Sequence, residues 1–206
     1  AWTDEDAALR SWFRVRCEAL GLVMEQDSAG NLWGWWLPKD VASPSRIPPR
    51  SAVTSGSHLD SVPHGGAYDG PLGVISALLA IAELRRRDFR PTRSIGVVCF
   101  SDEEGARFGK ACLGSRTLTA AHSADQVLGL RDSAGVTVAE ALGAQGVVPE
   151  GYGPDRELLD RLAAHVELHV EQGYALAPAQ APLGVAPGIR PHGRWPVPFA
   201  GAATHA

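Results

Sequence analysis

The chain reads as an α/β domain built around a parallel sheet, and three observations predict it. Short apolar, β-prone runs at 52–57, 94–100 and 164–170 alternate with helical patterns. Each run ends in a loop rich in acids or histidine: SGSHLDSVPHGGAYD, SDEEGARFG and HVELHVEQG. A parallel sheet gathers such loops along the carboxyl edge of its strands, where sites form.

Residues 4–20 carry Leu9, Trp12, Phe13, Arg16 and Leu20 at helical spacing, with acids in the first turn and Gly21 at the end. Segments 22–26 and 32–37 read as strands around the turn Asp27-Ser28-Ala29-Gly30-Asn31. A Pro- and Ser-rich surface loop, 38–50, leads to the short buried strand 52–57. Residues 73–86 are expected to be helical, with Leu78, Leu79, Ala82 and Leu84 facing the core. The run SIGVVCF at 94–100 is near-continuous, as in a strand covered on both faces. Helical patches follow at 113–121, 124–130 and 136–142, then a helix over 154–163 that opens on proline. The last strand is 164–170. Beyond Gly173 prolines crowd the chain. Segment 194–201 alternates like a strand but holds Pro196 and Pro198, whose missing N–H groups fall on one side, so it suits only an edge. A domain boundary is expected at 184/185.

Composition narrows the function. The chain has 206 residues, 45% hydrophobic and 20% charged, which suits a globular domain. A net charge of −4 offers no basic footprint for nucleic acid or anionic lipid. Cys17, Cys99 and Cys112 form no C-x-x-C pair, so neither a disulfide framework nor a thiolate metal site is indicated. No apolar run reaches the ~20 residues of a membrane span. The opening AWTDEDAALR has no signal-peptide pattern, and a cytoplasmic location is expected. The chain neither starts with Met nor ends at a natural stop, and is expected to be a piece of a longer protein.

The three loops carry the chemistry. A metal-bound imidazole usually gives its second N–H to a carboxylate, and Asp60 is placed to influence His58 directly or through the loop. Asp69 lies among glycines that let backbone approach an ion, and its two oxygens suit a bridge between two cations. Taken alone, it also fits an Asp-Gly turn. Glu103 and Glu104 are neighbours on extended chain and point to opposite sides. One can hold metal while the other serves as general base. A merely acidic helix start gains only ~0.3–1 kcal/mol per acid, a modest return for three acids in a row. His169 is expected at a strand end and His165 to be structural. His64, His122 and His192 read as loop or surface residues.

These stretches, with GAATHA at the end, resemble in order and spacing the dinuclear-metal, metallopeptidase-related amidohydrolases. That family includes allantoate amidohydrolases, N-carbamoyl-L-amino-acid hydrolases and β-ureidopropionases. The runs AWTDEDAALR and HGRWPVPFAG look closest to its allantoate branch. The resemblance implies a three-layer α/β/α, aminopeptidase-like catalytic domain, here its N-terminal segment 1–184. Residues 185–206 then open an inserted α+β lid and dimerisation domain. It implies two divalent ions: His58, Asp69 and His169 on one, Asp69 and Glu104 on the other, with Asp69 bridging. It makes Glu103 the general base, Asp60 the orienter of His58, Gln172 a substrate-binding residue and His205 the group that polarises the substrate carbonyl. A last ligand of the second metal, a C-terminal histidine in the family, is absent from this chain. Nitrogen and oxygen donors without thiolate suit Mn, Zn, Co or Ni.

The implied reaction is hydrolysis of a ureido or carbamoyl C–N bond, with allantoate first and N-carbamoyl-L-amino acids or β-ureidopropionate next, by a homodimer. A peptidase or aminoacylase on the same scaffold is the second expectation. His169 argues against it, since those relatives carry a carboxylate at that position. An inactive binding or assembly fragment is the third.

Overall fold

The computed structural model describes residues 1–188. The expected edge strand at 194–201, His192 and His205 lie outside the described residues. The chain divides into two compact units, Ala1–Val170 and Glu171–Ala206. The boundary expected at 184/185 falls inside the second.

Unit Ala1–Val170 is a three-layer α/β/α sandwich, the expected fold. Its sheet has five strands, β1 (Val23–Gln26), β2 (Leu32–Trp36), β3 (Ala52–His58), β4 (Ile95–Phe100) and β5 (Leu162–Val166), in the order β1-β2-β4-β3-β5. β4, β3 and β5 run parallel, while β1 and β2 add an antiparallel hairpin. The sheet is thus mixed rather than wholly parallel, because a five-residue turn can only join antiparallel neighbours. The parallel register pairs His58 with Phe100 and Ser55 with Val166, so the three site loops leave the same edge.

Helix α1 (Asp4–Ala19) and helix α2 (Pro71–Arg86) cover one face of the sheet. Phe13, Cys17, Val74, Ala77, Leu78 and Ile81 pack there against Leu32, Trp36, Val97 and Cys99. Helices α3 (Leu113–Leu118), α4 (Ala124–Leu128), α5 (Val138–Ala144) and α6 (Arg156–Arg161) cover the other face. Leu113, Val127, Leu142 and Leu158 meet Trp33, Trp35 and Val98. The alternation of partners along β2 and β4 is that of strands covered on both sides.

Two helix faces differ from expectation. α1 buries Arg10, Phe13 and Cys17, whereas Leu9 is 41% exposed. α2 buries Gly73, Val74, Ala77, Leu78 and Ile81, and Leu79 is 62% exposed. α2 is apolar on nearly every side, so periodicity gave no unique face. Contact chooses it instead: a Cβ at Gly73 would lie 2.7 Å from the Ser57 Cβ, so Gly73 is where the helix meets β3. α6 is also shorter than expected. Asp155 caps it through Leu158 N–H at 2.9 Å, and pairing with β3 begins at Leu162.

Candidate metal centre

His58 is the last residue of β3 and is buried. Its Nδ1 lies 2.9 Å from the main-chain oxygen of Asp60. A carbonyl only accepts, so Nδ1 carries a hydrogen and Nε2 is the nitrogen left to face the site. That Nε2 is 4.0 Å from Asp69 Oδ1 and 3.5 Å from Glu103 Oε2. Asp69 immediately precedes Gly70, which starts α2 at a φ of 83°. A Cβ at Gly70 would lie 2.5 Å from the His58 ring, so only glycine lets Asp69 and His58 come this close.

His169 follows β5. Its Nδ1 faces Val170 O at 2.7 Å, which directs Nε2 to Asp69 Oδ1 at 3.2 Å. Both imidazoles thus turn Nε2 toward the Asp69 carboxylate, an arrangement that a proton or a cation between them favours. Donors bonded at ~2.1 Å to one tetrahedral ion stand ~3.4 Å apart, inside the 3.2–4.0 Å span of these contacts. Ligand atoms of His58, Asp69 and Glu104 all lie within 4.8 Å of one another. Burial, and then the neighbouring Asp69 charge, raises the Glu104 carboxyl above its usual range, as like charges gathered in one place do. The donor set fits divalent metal.

Asp60 meets His58 through its main chain: its carboxylate is 3.6 Å from His58 Nδ1, and its main-chain oxygen accepts from that nitrogen at 2.9 Å. The two carboxylate oxygens instead accept the main-chain N–H groups of Glu103 (3.2 Å) and Glu104 (3.1 Å). Asp60 therefore joins the β3 loop to the acid turn. The residue before the two glutamates, Asp102, has a φ of 48° and both carboxylate oxygens buried without a hydrogen-bond partner. Burial and then Asp60 push it up to about 7.

One contact had no sequence signal. The Cys112 thiol donates to Glu103 Oε1 at 3.2 Å, and Cys112 N–H donates to Glu103 O at 2.5 Å. Cys112 sits in the left-handed region just before α3, a placement that spacing does not encode. His165 is structural as expected, with Nδ1 3.0 Å from Thr54 Oγ1 and its ring edge-on to Phe100. His64 is exposed and His122 lies near the surface beside Arg116. Gln172 belongs to the second unit.

Two histidines, three carboxylates and a sheet edge define a metallohydrolase-type α/β domain. The chain belongs to peptidase family M28, whose model matches residues 42–181. It is 34% identical over its whole length to a ureidoglycolate hydrolase of Arabidopsis thaliana, covering 43% of that protein. It is 31% identical, again over its whole length, to an allantoate amidohydrolase of Bacillus subtilis, covering 47% of it. A hydantoinase/carbamoylase family amidase of Burkholderia ambifaria has the same fold, with a TM-score of 0.74 and 31% identity over 87% of this chain and 42% of that one. The chain thus spans less than half the length of these proteins. The family resemblance read from the motifs is borne out. Among the described residues no helix is long and apolar enough to cross a membrane.

Proposed function

We propose that this chain is the metal-carrying part of an enzyme that hydrolyses a ureido or carbamoyl C–N bond, releasing an amine, ammonia and carbon dioxide. The observation that carries the reading is the convergence of His58, Asp69 and Glu104 within 4.8 Å, with Glu103 beside them. His58, Asp69 and His169 would hold one divalent ion, and Asp69 with Glu104 would contribute to a second. Manganese, zinc, cobalt and nickel all suit these donors. Metal held here supplies Lewis acidity and makes water a nucleophile near neutral pH. Glu103 takes the proton of the attacking water and returns it to the leaving nitrogen. Asp60 keeps Glu103 and Glu104 in register with His58. Gln172 contacts the substrate, and His205 stabilises the negative charge that develops on the carbonyl oxygen.

Allantoate, which would give ureidoglycine, is the first substrate proposed. N-carbamoyl-L-amino acids and β-ureidopropionate follow. The names of the relatives, ureidoglycolate hydrolase among them, share this small ureido chemistry. The catalytic domain extends to 184, residues 185–206 open a lid and dimerisation domain, and the full-length protein is a cytoplasmic homodimer. The family description favours a second reading, a peptidase or aminoacylase. One assay separates them: ammonia release by the full-length protein from allantoate, ureidoglycolate and N-carbamoyl amino acids, beside cleavage of a dipeptide and an N-acetyl amino acid. Chelator-sensitive ammonia release restored by Mn²⁺ is expected. Peptide or N-acetyl cleavage without ammonia release would replace this reading by the second.

A further inference from the structure

The acid turn is also held from outside the three site loops. In the turn between β1 and β2, the buried Asp27 carboxylate accepts N–H groups from Ala29 (2.9 Å), Asn31 (2.9 Å), the Asn31 side chain (2.8 Å) and the Trp33 indole (2.9 Å). These bonds fix the Asn31 amide, which is fully buried, with its oxygen toward the end of β4. That oxygen accepts Ser101 N–H at 2.9 Å. Ser101 Oγ lies 3.2 Å from the same oxygen and 3.0 Å from Ala29 O, and its single hydrogen serves one of them. The fit leaves no slack, since a Cβ at Gly114 would lie 2.2 Å from Asn31 Oδ1.

Ser101 is the residue from which the chain enters the left-handed Asp102 and then Glu103 and Glu104. The ties that follow run to the start of α3 and to Asp60, whose carboxylate accepts the Glu103 and Glu104 N–H groups. Ser101 O accepts from Gly114 N–H at 3.0 Å, and Asp102 O from Leu113 N–H at 3.0 Å. Such an unusual backbone conformation persists where the surroundings over-determine it. The Asn31 bond sets where the turn starts, so a shift there carries both glutamates with it.

We propose that Asn31, oriented by Asp27, is a positioning residue for Glu103 and Glu104. The inference rests on the reading of Glu103 as base and Glu104 as metal ligand.

The test uses the full-length protein. In Asn31→Ala, kcat for the ureido substrate is expected to fall about 10–100-fold with KM nearly constant, the cost of misplacing groups by ~1 Å. Mn²⁺ titrated by calorimetry should bind its weaker site about tenfold less tightly. Trp33→Phe removes a different bond to Asp27 and spares the tie to Ser101. It should lower Tm while kcat and Mn²⁺ affinity stay within about twofold. Asn31→Asp sets two carboxylates against each other. Adding Asp27→Asn restores an amide–carboxylate pair with an oxygen facing Ser101, and should recover kcat about tenfold over Asn31→Asp alone. This swap decides the matter if Asn31→Ala does not fold. The proposal is overturned if Asn31→Ala behaves like Trp33→Phe, or if the swap recovers nothing. A wild-type protein that releases no ammonia from any ureido compound would instead refute the functional reading, and the Mn²⁺ titrations would still judge the Asn31 tie.

Discussion

Two loops bring carboxylates to one place by opposite means. After β4, the acid turn is clamped on both sides: Ser101 to Asn31 and Gly114, Asp102 to Leu113, Glu103 to Cys112, and both glutamate N–H groups to Asp60. After β3, the stretch 61–68 is exposed throughout, and its hydrogen bonds are local, as between Gly65 N–H and Val62 O. Its precision is concentrated at the ends, in His58 and in Gly70. The acid turn is therefore pre-organised along its length, while the glycine loop needs only its two anchor points.

The largest effect should come from Asp69, which both histidines face. Asp69→Ala should abolish activity and metal binding, and Asp69→Asn should lose most of both. Stoichiometric binding of two metals by either variant, measured by elemental analysis, would break the bridging assignment. In the acid turn, Glu103→Gln should lower turnover ~10²–10⁴-fold while metal content stays near normal. Glu104→Gln should instead weaken one metal, and the reverse pairing would show the two roles exchanged.

Asp27 gives a pH signature. Burial, which outweighs its hydrogen bonds, pushes its carboxyl from 3.8 up to about 6. A folded-state value above the unfolded one contributes stability that is complete below about pH 4 and lost as pH rises through about 6. Wild type should therefore lose up to ~3 kcal/mol relative to Asp27→Asn between pH 4 and pH 7, read by urea denaturation at each pH. A difference between the two proteins that does not vary with pH would contradict this.

The glycine loop supplies the smaller contrast. Gly70→Ala meets both a left-handed backbone and the His58 ring, and should cost more than the ~1–2 kcal/mol of the backbone conformation alone. At Gly66 an added Cβ meets nothing within 4 Å, so Gly66→Ala should stay within ~0.5 kcal/mol by thermal denaturation, with activity retained. If both substitutions cost the same, the distinction between anchors and loop body fails.

The strands and site loops were legible because burial on two faces makes continuous apolar runs, and because polar clusters at their ends have no packing purpose. His58, Asp69, the Glu103-Glu104 pair and His169 stood out that way, and their separate roles came from the family resemblance. The tie from Asp60 to the acid turn did not, since a spacing of two suggests a neighbour and says nothing of main-chain groups 43 and 44 residues away. Asn31 looked like an ordinary turn residue, because its partner Ser101 is 70 residues distant. The face of α2 escaped for a different reason: a helix apolar all round has no period from which to choose.

The pairing of β5 with β3 has a consequence in time. Ser57 and Glu167, at the ends of these strands, are hydrogen-bonded across 110 residues of intervening chain. Asp69 meets His169 across a gap almost as long. Contacts so distant in sequence form late, after the entropy of a long loop closure has been overcome. During synthesis, the stretch through Glu104 emerges with every carboxylate of the cluster but only one of its histidines. His169 comes to stand beside Asp69 only once β5 has docked on β3, so a metal that requires both is captured only after that pairing has formed.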